Sequence, residues 1–184
     1  QFVMELLTAT RYVDIIIPRG SESLIQFVRK NSLIPTIETG AGVCHGYVQT
    51  TADLIKARDI VVNARVSRPS VCNSMDCVIV DKAIAAEFLP MLKEDFIKWN
   101  VEVFADEDSY PIFEQIDYPM LQHAQPQDFG REFLDYKMAV KVVDGLDEAL
   151  SHIQNYSSRH SEAIVSENQV VIDRFLNEVD AAAV

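Results

Sequence analysis

The segment RVSRPSVCNSMD, residues 65–76, holds the residue best suited to covalent chemistry, Cys72. The pattern predicts that Cys72 lies in the first turn of a short helix, where backbone N–H groups and the helix dipole favour a thiolate. Arg65 and Arg68 add positive charge in an otherwise acidic chain. Cys72 is therefore a candidate nucleophile. The alternative is that it is one more buried, structural cysteine.

The other cysteines and the histidines are weaker candidates for chemistry. Cys77 opens a β-branched strand and is predicted to lie in the core. Cys44 and His45 are adjacent on a predicted strand and point to opposite faces, so His45 is poorly placed to activate Cys44. None of the four histidines stands four positions from another, and the sequence therefore predicts no transition-metal site.

Two turns and one loop have weaker signals for ligand binding. Arg19-Gly20-Ser21 joins a predicted strand to a helix start, a place where anions bind backbone N–H groups. The turn Glu38-Thr39-Gly40-Ala41-Gly42 contains glycines that permit positive φ. His160 lies between a predicted helix and a predicted strand. A plain turn or loop is the alternative reading of each.

The elements that position these residues alternate between strand and helix along the chain. Short apolar runs predict strands at 12–17, 34–37, 43–48, 77–80, 101–104, 138–143 and 163–165. Helical spacing predicts helices after Ser21 as N-cap and at 52–66, 83–99, 110–116, 146–156 and 170–179. Residues 119–131 show neither period and are predicted to form a long surface loop. This alternation is typical of an α/β fold with a mostly parallel sheet covered by helices.

Length and charge exclude several classes of protein. A chain of 184 residues is long enough for one core and too short for two large domains. Its net charge of −12 disfavours nucleic acid and anionic membranes as partners. The sequence shows no membrane-spanning run, and its three cysteines form no disulfide framework. We therefore expect a cytoplasmic location.

Five blocks of the chain together resemble one enzyme family. They are YVDIIIPRGSESLI (12–25), IETGAGVCHGYV (37–48), RPSVCNSMD (68–76), KVVDGLDEALSHIQNYSSRHSEAIVSEN (141–168) and FLNEVDAA (175–182). Their combination and order resemble γ-glutamyl phosphate reductase, the glutamate-5-semialdehyde dehydrogenase of proline biosynthesis. More distantly, the chain is similar to the aldehyde dehydrogenase superfamily, in which a Glu-x-Gly turn precedes the catalytic thiol at a similar interval, here 34 residues between Glu38 and Cys72.

The resemblance implies an aldehyde-dehydrogenase-like catalytic domain and roles for eleven residues. The catalytic residues are Cys72 as the thiol and Asn73, whose backbone N–H joins that of Cys72 in holding the oxyanion. The residues implied to bind NADPH are Arg19, Gly20, Ser21, Glu38, Gly40 and Gly42. Those implied to bind substrate are Arg65, Arg68 and His160, and no metal is expected.

Some features depart from the family pattern. Ser21 stands where the family usually has Gly, and Ser74-Met75-Asp76-Cys77 stands where it has Ala-Met-Glu-Thr. The resemblance also implies that most of the cofactor domain precedes residue 1. We interpret residues 1–42 as the end of an NADPH-binding domain and 43–184 as the catalytic domain, truncated at its C-terminal end.

The resulting hypothesis is NADPH-dependent reduction of L-glutamyl 5-phosphate to L-glutamate 5-semialdehyde through a thioester on Cys72. One alternative is an acylating aldehyde dehydrogenase of different substrate. Another is an α/β module that is inactive as cut. Glutamate 5-kinase is a candidate partner, and a homo-oligomer is a candidate assembly.

Overall fold

Two units make up the chain in the computed structural model, Gln1–Ala41 and Gly42–Val184. The structure describes residues 2–20, 22–38 and 40–184. The division falls one residue before the boundary expected from the sequence. The assignment of the two units to a cofactor domain and a catalytic domain stays a prediction.

The described residues of the first unit contain two helices and little strand. Its helices are α1 (Phe2–Leu7) and α2 (Glu22–Asn31). The prediction of a helix after residue 21 is confirmed, and Ile25 and Val28 are buried on it. Ser21, the predicted N-cap, lies outside the described residues.

The prediction of strands at residues 12–17 and 34–37 of this unit is wrong, because neither segment forms a full strand. Ile16 and Thr36 form a single parallel bridge, with the Ile16 N–H donating to Pro35 O at 3.0 Å and the Ile37 N–H to Ile16 O at 2.9 Å. Tyr12 is 82% exposed and Ile17 is 54% exposed, so the β-branched run from 12 to 17 is not a core strand. A β-branched run favours a strand only where another segment pairs with it.

The second unit is built on one six-stranded sheet in which every described pairing is parallel. The strands are β1 (Cys44–Val48), β2 (Met75–Asp81), β3 (Glu102–Ala105), β4 (Leu121–His123), β5 (Lys137–Val143) and β6 (Glu162–Val165). Their spatial order is β4-β3-β5-β2-β1-β6. The prediction of a mostly parallel α/β sheet is confirmed.

Helices cover both faces of this sheet. They are α3 (Leu54–Val66), α4 (Lys82–Met91), α5 (Lys93–Lys98), α6 (Tyr110–Gln115), α7 (Leu146–Tyr156) and α8 (Gln169–Glu178). Residues of α3 to α6 pack with Val78 and Val80 on one face, and residues of α7 and α8 pack with Cys77 and Ile79 on the other. Alternate residues of β2 thus enter different cores, since successive strand residues point to opposite faces.

Two predicted elements differ from the structure. The single helix expected over 83–99 is two helices, because Pro90 lacks an N–H and Leu92 ends α4 with its N–H bonded to Leu89 O at 3.2 Å. The loop expected over 119–131 contains the edge strand β4 and a 3₁₀ helix, Pro126–Gly130, whose Phe129 is buried. No helix among the described residues is long and apolar enough to cross a membrane.

Candidate active site

Cys72 lies in a turn between α3 and β2 and not at a helix start. The Val71 N–H donates to Arg68 O at 3.2 Å, and the Ser74 N–H donates to Val71 O at 3.0 Å. These bonds define two successive β-turns, with Pro69 at the second position of the first and Cys72 and Asn73 at the centre of the next. The predicted short helix is therefore wrong, and with it the helix dipole as a source of thiolate. The Cys72 side chain is exposed, as a nucleophile requires.

Arg65 lies beneath this turn and holds both of its ends. Its guanidinium is completely buried and donates to Pro69 O at 2.8 Å and to Met75 O at 2.9 Å. It also donates to Asp76 Oδ1 at 2.9 Å. In this conformation the guanidinium faces the loop backbone, which argues against the predicted contact with a substrate phosphate. Arg68 is exposed, and its role stays a prediction.

Asp76 balances the buried charge of Arg65. The same Oδ1 accepts the Phe133 N–H at 3.0 Å, so the carboxylate also fixes the chain that leads into β5. Burial raises the pKa of Asp76, and its hydrogen bonds from Phe133 and Arg65 oppose that rise. The Arg65–Asp76 pair therefore connects the Cys72 turn to the next strand of the sheet.

Gly42 lies against the Cys72 turn. A Cβ at residue 42 would stand 2.0 Å from Cys72 O and 2.9 Å from Cys72 Cβ. The glycine is required by this close approach of two backbones and not by a positive φ. The Gly42 N–H donates to Glu132 Oε1 at 3.1 Å, which holds the approach in place. The structure thus places Gly42, predicted to bind cofactor, directly beside the candidate nucleophile.

Cys44 and His160 complete the surroundings of the turn. Cys44 Sγ is buried 3.3 Å from Cys72 O and 3.9 Å from His160 Nδ1. His160 Nδ1 is 2.8 Å from Ser161 Oγ. Burial, followed by the charges of Glu162 and Asp76, raises the pKa of Cys44 to about 12. Sequence reasoning placed His160 near the site but found no role for Cys44, whose contact with a turn 28 residues away has no local signal.

Next to Cys44 in the chain, the buried His45 ring has one oxygen atom close to each of its two nitrogens. Its Nδ1 lies 3.2 Å from Glu162 Oε2 and its Nε2 lies 3.2 Å from Phe129 O. Glu162 also accepts the His45 N–H at 2.9 Å and the Ser157 hydroxyl. Ligand atoms of His45, Cys77 and His152 lie within 4.8 Å of one another. His45 Nε2 is hydrogen-bonded to Phe129 O, whereas the buried Nδ1 lies near Glu162 Oε2 without making a hydrogen bond. These three side chains lie within the core, and we assign no metal to them.

These residues meet at the amino edge of the parallel sheet. Gly42 precedes β1, Cys72 precedes β2 and His160 precedes β6. Ligands of open α/β sheets more often bind beyond the carboxyl ends of the strands. Here that opposite edge contains a closed polar network, in which Asp81 accepts the Tyr47 hydroxyl at 2.6 Å and the Thr50 N–H at 2.7 Å.

The remaining residues predicted to bind cofactor belong to the first unit. Arg19 is exposed, and Gly20 has a φ of +149° that a side chain rarely adopts. Glu38 accepts the Thr36 hydroxyl at 3.2 Å and lies 3.9 Å from Arg29. Gly40 is exposed, and Ser21 lies outside the described residues. An exposed arginine before a glycine turn at the start of α2 is compatible with a phosphate group of a dinucleotide.

The fold and the exposed cysteine turn define an aldehyde-dehydrogenase-like α/β domain. An acetylating aldehyde dehydrogenase from Geobacillus thermoglucosidasius is similar in structure over 98% of the chain, with a TM-score of 0.73 and 17% identity, which shows the fold alone. The same holds for glyceraldehyde-3-phosphate dehydrogenase GapN from Methanocaldococcus jannaschii, complexed with NADP, with a TM-score of 0.75 and 16% identity. No protein-family model matches the chain.

Sequence comparison gives a more particular relationship. Gamma-glutamyl phosphate reductase from Legionella pneumophila (strain Paris) is 50% identical over 184 residues, 99% of this chain and 44% of the relative. The crystal structure of gamma-glutamyl phosphate reductase from Thermotoga maritima has a TM-score of 0.90 at 41% identity, covering 99% of this chain and 43% of that one. The resemblance inferred from the motifs is confirmed, and the chain spans less than half the length of these relatives.

Proposed function

We propose that this chain is the thiol-bearing part of a gamma-glutamyl phosphate reductase, which reduces L-glutamyl 5-phosphate to L-glutamate 5-semialdehyde and phosphate in proline biosynthesis. The observation that carries the proposal is the exposed Cys72 at the centre of a turn held by buried contacts. The similarity of the whole chain to named reductases supports the choice of substrate. We extend the proposal to the cytoplasm, where a reduced thiol is maintained.

The proposed first step is attack of the Cys72 thiolate on the acyl carbon of the substrate. The sulfur–carbon bond forms, the carbon–oxygen bond to phosphate breaks, and a thioester remains on Cys72. Among the described residues, the backbone N–H groups of Cys72 and Asn73 donate no hydrogen bond to another residue. They are therefore available to the oxyanion that develops during the attack.

NADPH, when bound, supplies the hydride that reduces the thioester to the aldehyde and releases the thiolate. Arg19, Gly20, Ser21, Glu38 and Gly40 are the residues that we propose to hold it. Gly42 acts at the turn instead, since its missing side chain is what lets Cys72 O approach. The NADP in the GapN structure supports a nicotinamide cofactor for this fold.

Arg68 and His160 are the residues that we propose for substrate phosphate. Arg68 is exposed in the same turn segment as Cys72, and His160 is half-buried at the same sheet edge. Arg65 is omitted because the residue is buried and its Nη1 and Nη2 groups donate to Pro69, Met75 and Asp76.

The test is Cys72→Ser in the full-length enzyme, with Cys77→Ser as a matched control in the buried core. We expect the first variant to lose turnover with L-glutamate 5-semialdehyde, phosphate and NADP in the reverse direction, while NADPH binding persists. A Cys72→Ser enzyme with near wild-type rate would exclude covalent catalysis at this residue. Preference for another acyl substrate in a substrate profile would instead indicate an acylating aldehyde dehydrogenase.

The 184-residue chain by itself should fold without catalysing hydride transfer. Alignment of reacting groups contributes up to about 7–11 kcal/mol of barrier reduction. The chain spans 44% of its named relative, and we propose that this part alone does not align the hydride donor. Circular dichroism should show cooperative unfolding, and NADPH titration should show no tight binding. Turnover by this chain would contradict the expectation.

A further inference from the structure

The Cys44 thiol has a partner that suggests a task beyond packing. It lies 3.3 Å from Cys72 O, compared with 3.8 Å from Gly42 O and 3.9 Å from His160 Nδ1. Cys72 O is therefore the nearest of these three acceptors. The contact depends on Gly42, since any side chain at residue 42 would occupy the space that Cys72 O takes.

The Cys44 thiol is protonated and can therefore donate a hydrogen bond. Its side chain is buried at the start of β1, and burial beside the charges of Glu162 and Asp76 raises its pKa to about 12. The thiol thus keeps its proton at neutral pH. A protonated thiol is a weak donor, and Cys72 O is a carbonyl acceptor.

The carbonyl that Cys44 contacts belongs to the same peptide group as the Asn73 N–H. No peptide bond among the described residues is cis, and in a planar trans peptide the C=O and N–H point in opposite directions. A Cys72 carbonyl held toward the buried Cys44 sulfur therefore directs the Asn73 N–H away from the core. The Asn73 residue is exposed, so this direction leads to the open side of the turn.

We propose that Cys44 is a positioning residue, whose thiol fixes the Cys72–Asn73 peptide so that the Asn73 N–H faces the oxyanion of the reaction. This inference rests on the proposed function, because it needs Cys72 as the nucleophile. It assigns to Cys44 no contact with substrate. Its effect falls on turnover and not on substrate binding, since the oxyanion forms only after binding.

The experiment compares Cys44→Ala, Cys44→Ser and Cys77→Ala in the full-length enzyme. Cys77 is the matched control, because it is a buried cysteine on the neighbouring strand β2, and its sulfur lies 3.8 Å from His152 Nε2, on the face that packs against α7 and α8. Loss of a whole oxyanion donor costs ~100- to 1,000-fold in kcat, so a donor that is only misdirected should cost about 10- to 100-fold. We expect Cys44→Ala to lower kcat in that range with KM nearly unchanged. Cys44→Ser keeps a hydroxyl donor and should recover much of the loss.

Two further measurements separate positioning from packing. The rate at which iodoacetamide alkylates Cys72 should change little in Cys44→Ala, because the thiol itself stays exposed. A kcat equal to that of Cys77→Ala would overturn the inference. So would a loss that Cys44→Ser does not reduce at all, or one matched by an equal rise in KM. If Cys72→Ser retains turnover, the proposed function fails first and the role of Cys44 falls with it.

Discussion

Replacement of Arg65 by Met should destabilise the protein strongly and loosen the Cys72 turn. Met keeps an unbranched apolar side chain in the buried space but removes the donors to Pro69 O, Met75 O and Asp76 Oδ1. Removing one partner of a buried ion pair costs about 3–5 kcal/mol, because the other charge stays buried. A typical domain unfolds with a free energy of only ~5–15 kcal/mol, so the expected loss is a large fraction of the free energy of unfolding.

The assay is urea unfolding followed by circular dichroism. With a denaturant dependence of about 1–3 kcal/mol per molar urea, the unfolding midpoint should fall by ~1–5 M. Arg58→Met is the matched control, because Arg58 lies on the same helix and pairs with Asp59 at 2.6 Å where that carboxylate is exposed. Exposed pairs contribute little, so this control should leave the midpoint almost unchanged.

The pH dependence of the stability of Arg65→Met tests whether the unpaired buried charge of Asp76 causes the loss. Burial already raises the pKa of Asp76 above the ordinary value of 3.8, and loss of Arg65 removes one of the groups that oppose this rise. The folded variant then holds the proton more tightly than the unfolded chain does, so acidification stabilises it relative to unfolding. The stability difference from wild type should therefore narrow as the pH falls toward 3.8.

A second change, Asp76→Asn in the Arg65→Met background, should recover part of the loss by removing the buried charge while keeping an oxygen acceptor for the Phe133 N–H. The reasoning is refuted if Arg65→Met shifts the midpoint no more than Arg58→Met does. It is also refuted if the double variant is less stable than Arg65→Met at neutral pH.

Three other predictions concern the same unit. Iodoacetamide at pH 8 should modify Cys72 before Cys44 and Cys77, because burial raises the pKa of Cys44 to about 12 and the pKa of Cys77 well above its ordinary value. Mass spectrometry after brief exposure would show a different order if this is wrong. Gly42→Ala should displace the turn and lower turnover of the full-length enzyme by at least about tenfold, since its Cβ would meet Cys72 O at 2.0 Å; an unchanged kcat argues against this contact. Burial lowers the pKa of His152 from 6.5 to about 3, so the free energy of unfolding should fall as the pH drops through that window. In urea titrations, His152→Phe should make the free energy of unfolding less dependent on pH.

Local pattern predicted the helices and central strands well. Helix α7 occupies the predicted residues 146–156, because Ala149 and Ile153 recur at helical spacing on its buried side. The predicted strand at 138–143 is one residue longer in the structure, as β5. The pattern failed where strand formation depends on pairing with another segment. Residues 12–17 have the composition of a strand but form only one bridge, through Ile16. Residues Leu121–His123 were expected to lie in a loop but form an edge strand.

The sequence identified the candidate nucleophile but not the residues that support its turn. Cys72 was found from a motif, and the structure exposes it. The sequence predicts that Arg65 binds substrate, because sequence shows the charge of this residue and not its burial. The contacts of Cys44 with Cys72 and of Asp76 with Phe133 join residues 28 and 57 positions apart, and no local period encodes such pairs.

The contacts that shape the Cys72 turn end on main-chain atoms. Arg65 donates to two backbone carbonyl oxygens, and Cys44 contacts a third. Every residue type supplies the same carbonyl, so these three contacts do not depend on the side chain of the residue contacted, unlike the hydrogen bond from the Ser74 hydroxyl to Ala64 O and the fixed φ of Pro69. The exposed positions Arg68 and Ser70 can thus be varied in a library, with Cys72, Asn73, Arg65, Cys44 and Gly42 kept, to seek new acyl specificities on the same turn.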